Sequence, residues 1–376
     1  MPESTVLIVG AGASGLSAAG ALQRRGIASV ILEEDEQIGG TWARRYDRLH
    51  LHTVRGFSGL AHYSIPRHYP KYLSREDFVS YLGEYARHFD LRVITGCPVR
   101  KIRLESDAPS PWVAATDRGE WRCRVVVVAT GQYRFPILPM WEGRAAYEGI
   151  LVHSGRYTTA SLYAGKRVLV VGAGNSGTEI ATDLSDSGAA FVALSIRTPP
   201  PIVPRDPFGM PVQRTGIMLG FLPAVVADRL GRLTARIVLG DLTRYGLKPP
   251  EWLPFSAQRV PVIDVGFVRA LKNGRVHVRP ALARLTATEA VFEDGSAEPF
   301  DVIIAATGFS TGLKELLGTP DVLDKSDEPT ARSGEASARP GIYFMGYIHS
   351  LRGHLFEANR ASRRLAINVD RYLKGD

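Results

Sequence analysis

Two glycine-rich stretches have the residue types and spacing to do chemistry. VLIVGAGASGLSA (6–18) and VLVVGAGNSGTEI (168–180) set Gly10, Gly12 and Gly15, then Gly172, Gly174 and Gly177, in one G-x-G-x-x-G spacing. Each follows an apolar, β-branched run and opens a segment of helical character. There the first glycine permits a tight turn, the second lets a pyrophosphate approach, and the third packs helix against strand. Ser14, Asn175 and Ser176 stand at the helix starts. One such match is weak; two in the same context predict two dinucleotide sites.

The sequels differ. Gly26 closes the first helix and Glu33 stands seven residues on, where a carboxylate can accept from both hydroxyls of an adenosine ribose. Gly188 closes the other helix, Ser195 stands seven residues on, and Arg197 lies just beyond. An acid would repel a 2′-phosphate, whereas Ser and Arg suit one. EQIGGTW (36–42) adds Gly40, Thr41 and Trp42, small residues first, where backbone can approach a bulky ring system. FAD is therefore expected in the first site and NADPH in the second, with hydride passing from nicotinamide to flavin.

The elements that must position these residues repeat as well. A strand–turn–helix–strand start leads through short alternating strands, VRKIRLE (99–105), PWVAATD and EWRCR, into VVVVATG (125–131). The same plan recurs from 168 through RVHVRPALARLTATEAVFEDGSAEPF into DVIIAATG (301–308). Val99, Thr130, Gly131, Thr307 and Gly308 join the expected cofactor contacts. The predicted fold is α/β, with two Rossmann-like domains, the second inserted in the first, each carrying a β-meander. The expected limits are 1–157 and 291–376 for the FAD domain and 158–290 for the NADPH domain. AVVADRLGRLTARIVLG (224–240) reads as an amphipathic helix, with Val226, Leu230 and Leu233 packed on the body and Asp228, Arg232 and Arg236 outward, in preference to the membrane docking that the same pattern allows.

The chain of 376 residues, 45% hydrophobic and 22% charged, is long enough for two such domains. Its net charge of +8 favours anionic ligands, but the arginines are scattered, which argues against nucleic acid. No targeting pattern opens the sequence, and TGIMLGFLPAVVA (215–227), broken by Pro223, is too short to span a bilayer. A cytoplasmic protein without integral membrane association is expected. Cys97 and Cys123 form no C-x-x-C, which excludes a dithiol centre and a Cys-rich zinc site. No metal is expected.

YEGILVHSGRY (147–157) resembles the fingerprint of class B flavoprotein monooxygenases, with Tyr147 where those carry Phe. Tyr157 is closer to the Phe of flavin-containing monooxygenases than to the Trp of Baeyer–Villiger enzymes. YDRLHLH (46–52), VPRDPFG (203–209), LGDLTRYGLKPP (239–250) and PVIDVG (261–266) are similar to the YUCCA branch, the plant auxin-forming enzymes and their bacterial relatives. The resemblance implies oxygenation of a small organic substrate by NADPH and O₂ through a C4a-(hydro)peroxyflavin, with a 2-oxo acid decarboxylated as in YUCCA enzymes. It makes Arg48, His52 and His153 the candidate catalytic residues. His52 stands where amine- and sulfur-oxygenating relatives carry Asn, and such a histidine can set the protonation of the peroxide. His153 is expected to organise the domain crossing. N- or S-oxygenation, and a reductase or oxidase passing electrons elsewhere, remain the alternatives.

Overall fold

VLIV at 6–9 is buried on both faces, the condition for a central strand of a parallel sheet. The computed structural model describes residues 3–105, 110–318 and 320–375. β1 (Glu3–Val9), α1 (Ala13–Gln23) and β2 (Ser29–Leu32) make the first βαβ unit. A short α2 (Gly40–Ala43) and then α3 (Arg75–His88) lead to β3 (Arg92–Ile94). Ser74 and Asp77 start α3 as a capping box, each side chain accepting from the other's backbone N–H at 3.1 Å. β4 (Val99–Leu104), β5 (Trp112–Thr116) and β6 (Gly119–Val128) follow as the meander. The EWRCR and VVVV runs form the single strand β6, antiparallel to β5 in its first half and parallel to β1 along its length. The first sheet runs β3-β2-β1-β6-β5-β4.

The chain leaves this unit through β7 (Phe135–Pro136) and builds a second one. Its β8 (Ile150–His153), β9 (Arg167–Val171), α4 (Asn175–Asp186) and β10 (Phe191–Ser195) repeat the earlier plan. β11 (Ile202–Pro204), α5 (Val212–Leu219), α6 (Ala224–Leu239), α7 (Pro254–Ala257), β12 (Val262–Asp264) and α8 (Phe267–Lys272) form a long excursion. β13 (His277–Arg279), a meander of β14 (Leu282–Leu285), β15 (Glu289–Phe292) and β16 (Ala297–Pro299), and β17 (Val302–Ala305) close the unit. Its parallel sheet runs β13-β10-β9-β17-β8. The chain returns through β18 (Phe309–Ser310), antiparallel to β7, then α9 (Leu313–Leu316). β19 (Ile342–Phe344) joins β6 in the first sheet, and α10 (His354–Lys374) packs on α1. The fold is α/β with two Rossmann-type units, the second inserted in the first. We propose domain limits at about residues 150 and 305, because β8 and β17 pair within the second sheet (Val302 opposite Ile150). That is wider than the 158–290 expected.

One orientation reverses the expected one. On α6 it is Asp228 that is buried, accepting from the N–H groups of Phe255 and Ser256 at 2.9 Å each. Val226, Leu230 and Leu233 point outward. A buried carboxylate that clamps the start of α7 decides the helix's rotation over its apolar pattern.

Candidate active site

Both glycine turns are built so that protein atoms fill every direction but one. A Cβ on Gly10 (φ +107°) would lie 2.6 Å from the carbonyl oxygen of Ala129, and on Gly172 (φ +110°) 2.5 Å from that of Ala306. On Gly15 or Gly177 it would run into the carbonyl of the first glycine. A Cβ on Gly12 or Gly174 meets nothing within 4 Å. No side chain caps α1 or α4, so their first N–H groups face that open space with the positive end of the helix dipole. The cradles therefore fit two pyrophosphates. Gly12→Val is expected to fold normally yet lose flavin on gel filtration, whereas Gly15→Val should melt well below wild type. If Gly12→Val keeps its flavin, the first cradle is misread.

Glu33 follows β2, buried, with one carboxylate oxygen accepting from Ala11 N–H and the other from Asp35 N–H at 2.9 Å. Burial raises its pKa against the pull of those two bonds. The second unit corrects the expected match at Ser195. Gly10 N–H donates to Leu32 O (2.8 Å) and Gly172 N–H to Ser195 O (2.9 Å), so Ser195 stands where Leu32 does. Ile196 takes the place of Glu33: their N–H groups donate to Arg279 O and Ile94 O respectively. One extra residue between Gly188 and the strand causes the offset. The Ser195 hydroxyl is buried and donates to Pro280 O at 2.7 Å. Arg197, exposed just beyond, is left as the cation at the end of that strand.

A third group of residues joins the two units. On α4, Glu179, Asp183 and Asp186 make an acidic stripe at i, i+4 and i+7, which Tyr46, Arg48 and His52 of the first unit meet beside Tyr157 of the second. His52 Nε2 donates to Glu179 Oε1, and the Tyr46 hydroxyl donates to Glu179 Oε2 at 2.9 Å. Arg48 reaches Asp186 at 2.8 Å, and the Tyr157 hydroxyl reaches Asp183 at 2.6 Å. Arg48, expected as catalytic, is thus held in an ion pair that ties the units together. His153 is likewise committed: Nδ1 accepts from Gly155 N–H (3.0 Å) and Nε2 donates to Gly308 O (3.0 Å). Burial lowers its pKa, keeping the ring neutral. Both nitrogens hold the crossing, so His153 has no atom left for proton transfer.

His52 also lines a cavity of about 660 Å³, together with Asn175 and the inner faces of α5 and α6. Its walls are mostly apolar, with Arg232, Arg236, Lys248, His349 and His354 among them. Residues 3–318 match a family model described as flavin-binding monooxygenase-like. The chain belongs to this family. It is 34% identical to the indole-3-pyruvate monooxygenase YUCCA6 of Arabidopsis thaliana, across 98% of this chain and 91% of that protein. Identity is also 34% to the rice indole-3-pyruvate monooxygenase YUCCA1, across 91% and 86%. The structure is similar to a flavin-containing monooxygenase from Stenotrophomonas maltophilia, with TM-score 0.75 and 25% identity over 99% of this chain and 100% of that one. The protein is accordingly a flavin monooxygenase, an oxidoreductase with FAD and NADPH as cofactors and a small-molecule substrate.

Other residues of this flavin monooxygenase expected at the cofactors are engaged as follows. The Asn175 side chain accepts from Ile263 N–H (2.8 Å) and donates to Pro261 O (3.2 Å), fastening β12 to the second cradle. It supports the cradle instead of facing it. Thr130 pairs with the Tyr347 hydroxyl at 2.8 Å, and Thr307 donates to Ile137 O beside the β7–β18 crossing. Gly131 and Gly308, both at positive φ, border open space. Val99 is buried at the start of β4, and Ser176 sits in the first turn of α4. Gly40 opens α2 against Asp35, and Thr41 is exposed beside it. Trp42 packs edge-on against Phe78 at 4.7 Å. Ser14 lies 3.4 Å from His354 Nε2.

Three further residues at the site were not picked out from the sequence. Glu179 could have been found from the acidic i, i+4, i+7 spacing on α4. Arg45 lies over the rings of Phe309 and Tyr133 (5.1 and 5.9 Å), without a carboxylate partner among the described residues. His354, half-buried so that desolvation lowers its pKa, brings the start of α10 to the first cradle. Among the described residues no cluster of His, Cys, Asp or Glu could hold a metal ion, and no helix is long and apolar enough to cross a membrane.

Proposed function

We propose that FAD lies in the Gly10–Gly15 cradle, NADPH in the Gly172–Gly177 cradle, and a small 2-oxo acid in the cavity between them. The observation that carries this reading is the placement of His52: it lines the cavity while paired to Glu179 on the helix of the second cradle. When bound, the flavin takes hydride from NADPH and activates O₂. The chain's own residues set the rest. A carboxylate only accepts, so Nε2–H of His52 points at Glu179 and Nδ1 is the nitrogen left for the cavity. A proton taken up at Nδ1 leaves the reacting oxygen anionic, the form that attacks a carbonyl, and Glu179 stabilises the resulting imidazolium. Arg232, Arg236 and Lys248 offer charge to a substrate carboxylate, and the apolar walls limit water at the reacting atoms.

The balanced reaction consumes one 2-oxo acid, one O₂, NADPH and a proton. It yields the carboxylic acid shorter by one carbon, CO₂, water and NADP⁺. The relatives named for indole-3-pyruvate make an aryl 2-oxo acid the first compound to try. NADPH oxidation is to be followed with 2-oxo acids, amines and sulfides, with H₂O₂ measured alongside. The expected result is CO₂ release matched to NADPH for a 2-oxo acid, with little H₂O₂. Tight coupling to amines or sulfides, with only H₂O₂ from 2-oxo acids, would transfer the assignment to N- or S-oxygenation.

A further inference from the structure

The outward face of the α5–α6 hairpin is unlike the rest of the surface. Met218, Phe221, Val226, Leu230, Leu233 and Ile237 are exposed, Phe221 by 86% and Ile237 by 62%. On α6 the last four recur at i, i+4, i+7 and i+11, a narrow stripe on the side away from the body. Arg229 runs beside that stripe and Arg214 stands on α5, both exposed and free of ion pairs among the described residues. Between Asp206 and Asp241 the sequence has a single acidic residue, Asp228, and it is buried. The exposed hairpin is therefore apolar and cationic with no opposing charge.

We propose that this hairpin docks the protein peripherally on an anionic lipid surface. An apolar stripe flanked by arginines is the layout of a helix lying in a membrane interface, where the stripe enters the acyl boundary and the guanidiniums meet headgroup phosphates. Self-association fits less well, because a two-fold contact would set the arginines of one copy against those of the other. The inner face of the same hairpin walls the cavity, with Leu219 from α5 and Ala235 from α6. Docking would thus set the cavity's wall directly above the bilayer. This inference is independent of which substrate the cavity takes.

The test is sedimentation of the flavin-loaded full chain with phosphatidylcholine vesicles, with and without about a third phosphatidylglycerol. Binding is expected to the anionic vesicles, weak to the neutral ones, and reduced by high salt. Leu230→Ser combined with Leu233→Ser should lower partitioning roughly tenfold or more, and Arg229→Glu several-fold, while NADPH oxidation without vesicles stays unchanged. Failure of the wild type to bind anionic vesicles at low salt overturns the proposal. So does unaltered binding by the variants. A dimer in light scattering that the leucine variants dissociate, without vesicle binding, assigns the face to a second copy instead.

Discussion

Arg197→Ala should lower the NADPH-to-NADH ratio of kcat/KM tenfold to a hundredfold. A charge-assisted contact to a 2′-phosphate contributes about 1.5–3 kcal/mol, and NADH has no such phosphate to lose. Ile196 fills the place of Glu33, so nothing acidic stands there to bind a free ribose hydroxyl or repel a phosphate. Arg197→Glu should go further and favour NADH, since it adds repulsion to the lost attraction. Ser195→Ala is the matched control. It removes a buried hydrogen bond to Pro280 O, costs about 1 kcal/mol of stability, and leaves the coenzyme ratio alone. A changed ratio in Ser195→Ala with none in Arg197→Ala would contradict the alignment of the two strands.

His52→Leu is expected to destabilise the protein by about 3 kcal/mol or more. Its partner Glu179 is 4% exposed, and removing one member of a buried pair strands the other charge. Tyr46 alone would then face the carboxylate. The double variant His52→Leu with Glu179→Leu should recover most of that loss, a coupling that denaturant melts of the four proteins measure directly. Activity separates the roles. His52→Asn should lower turnover of a 2-oxo acid and raise the share of NADPH lost to H₂O₂, and Glu179→Gln should do the same without touching the substrate. Loss of stability with unchanged coupling of NADPH to product would make His52 a purely structural link between the units.

Much of this was legible because strand, glycine turn and helix leave a strong local pattern. The two G-x-G-x-x-G turns, their buried strands and both meanders appear where the spacing predicts them. What escaped was decided at longer range. Counting seven residues from Gly188 lands on Ser195, but one added residue before β10 moves the ribose position to Ile196, which only strand pairing reveals. The hydrophobic period of α6 is real, yet the rotation of that helix follows Asp228, whose partners Phe255 and Ser256 are distant in sequence. Arg48 looks catalytic in its motif, and His153 looks like an organiser of the domain crossing. Their atoms are taken by Asp186 on one side and by Gly155 and Gly308 on the other, contacts that no local pattern records. Cys97 and Cys123, which form no C-x-x-C, are both free and buried.

With its cofactors, the chain is expected to put one atom of O₂ into a small substrate at the expense of NADPH. Turnover of an aryl 2-oxo acid under ¹⁸O₂, with NADPH consumption followed in the same vessel, tests it most directly. One ¹⁸O is expected in each molecule of carboxylic acid product, with one NADPH consumed per product. Unlabelled product, or NADPH consumption matched by H₂O₂ across 2-oxo acids, amines and sulfides alike, would contradict it.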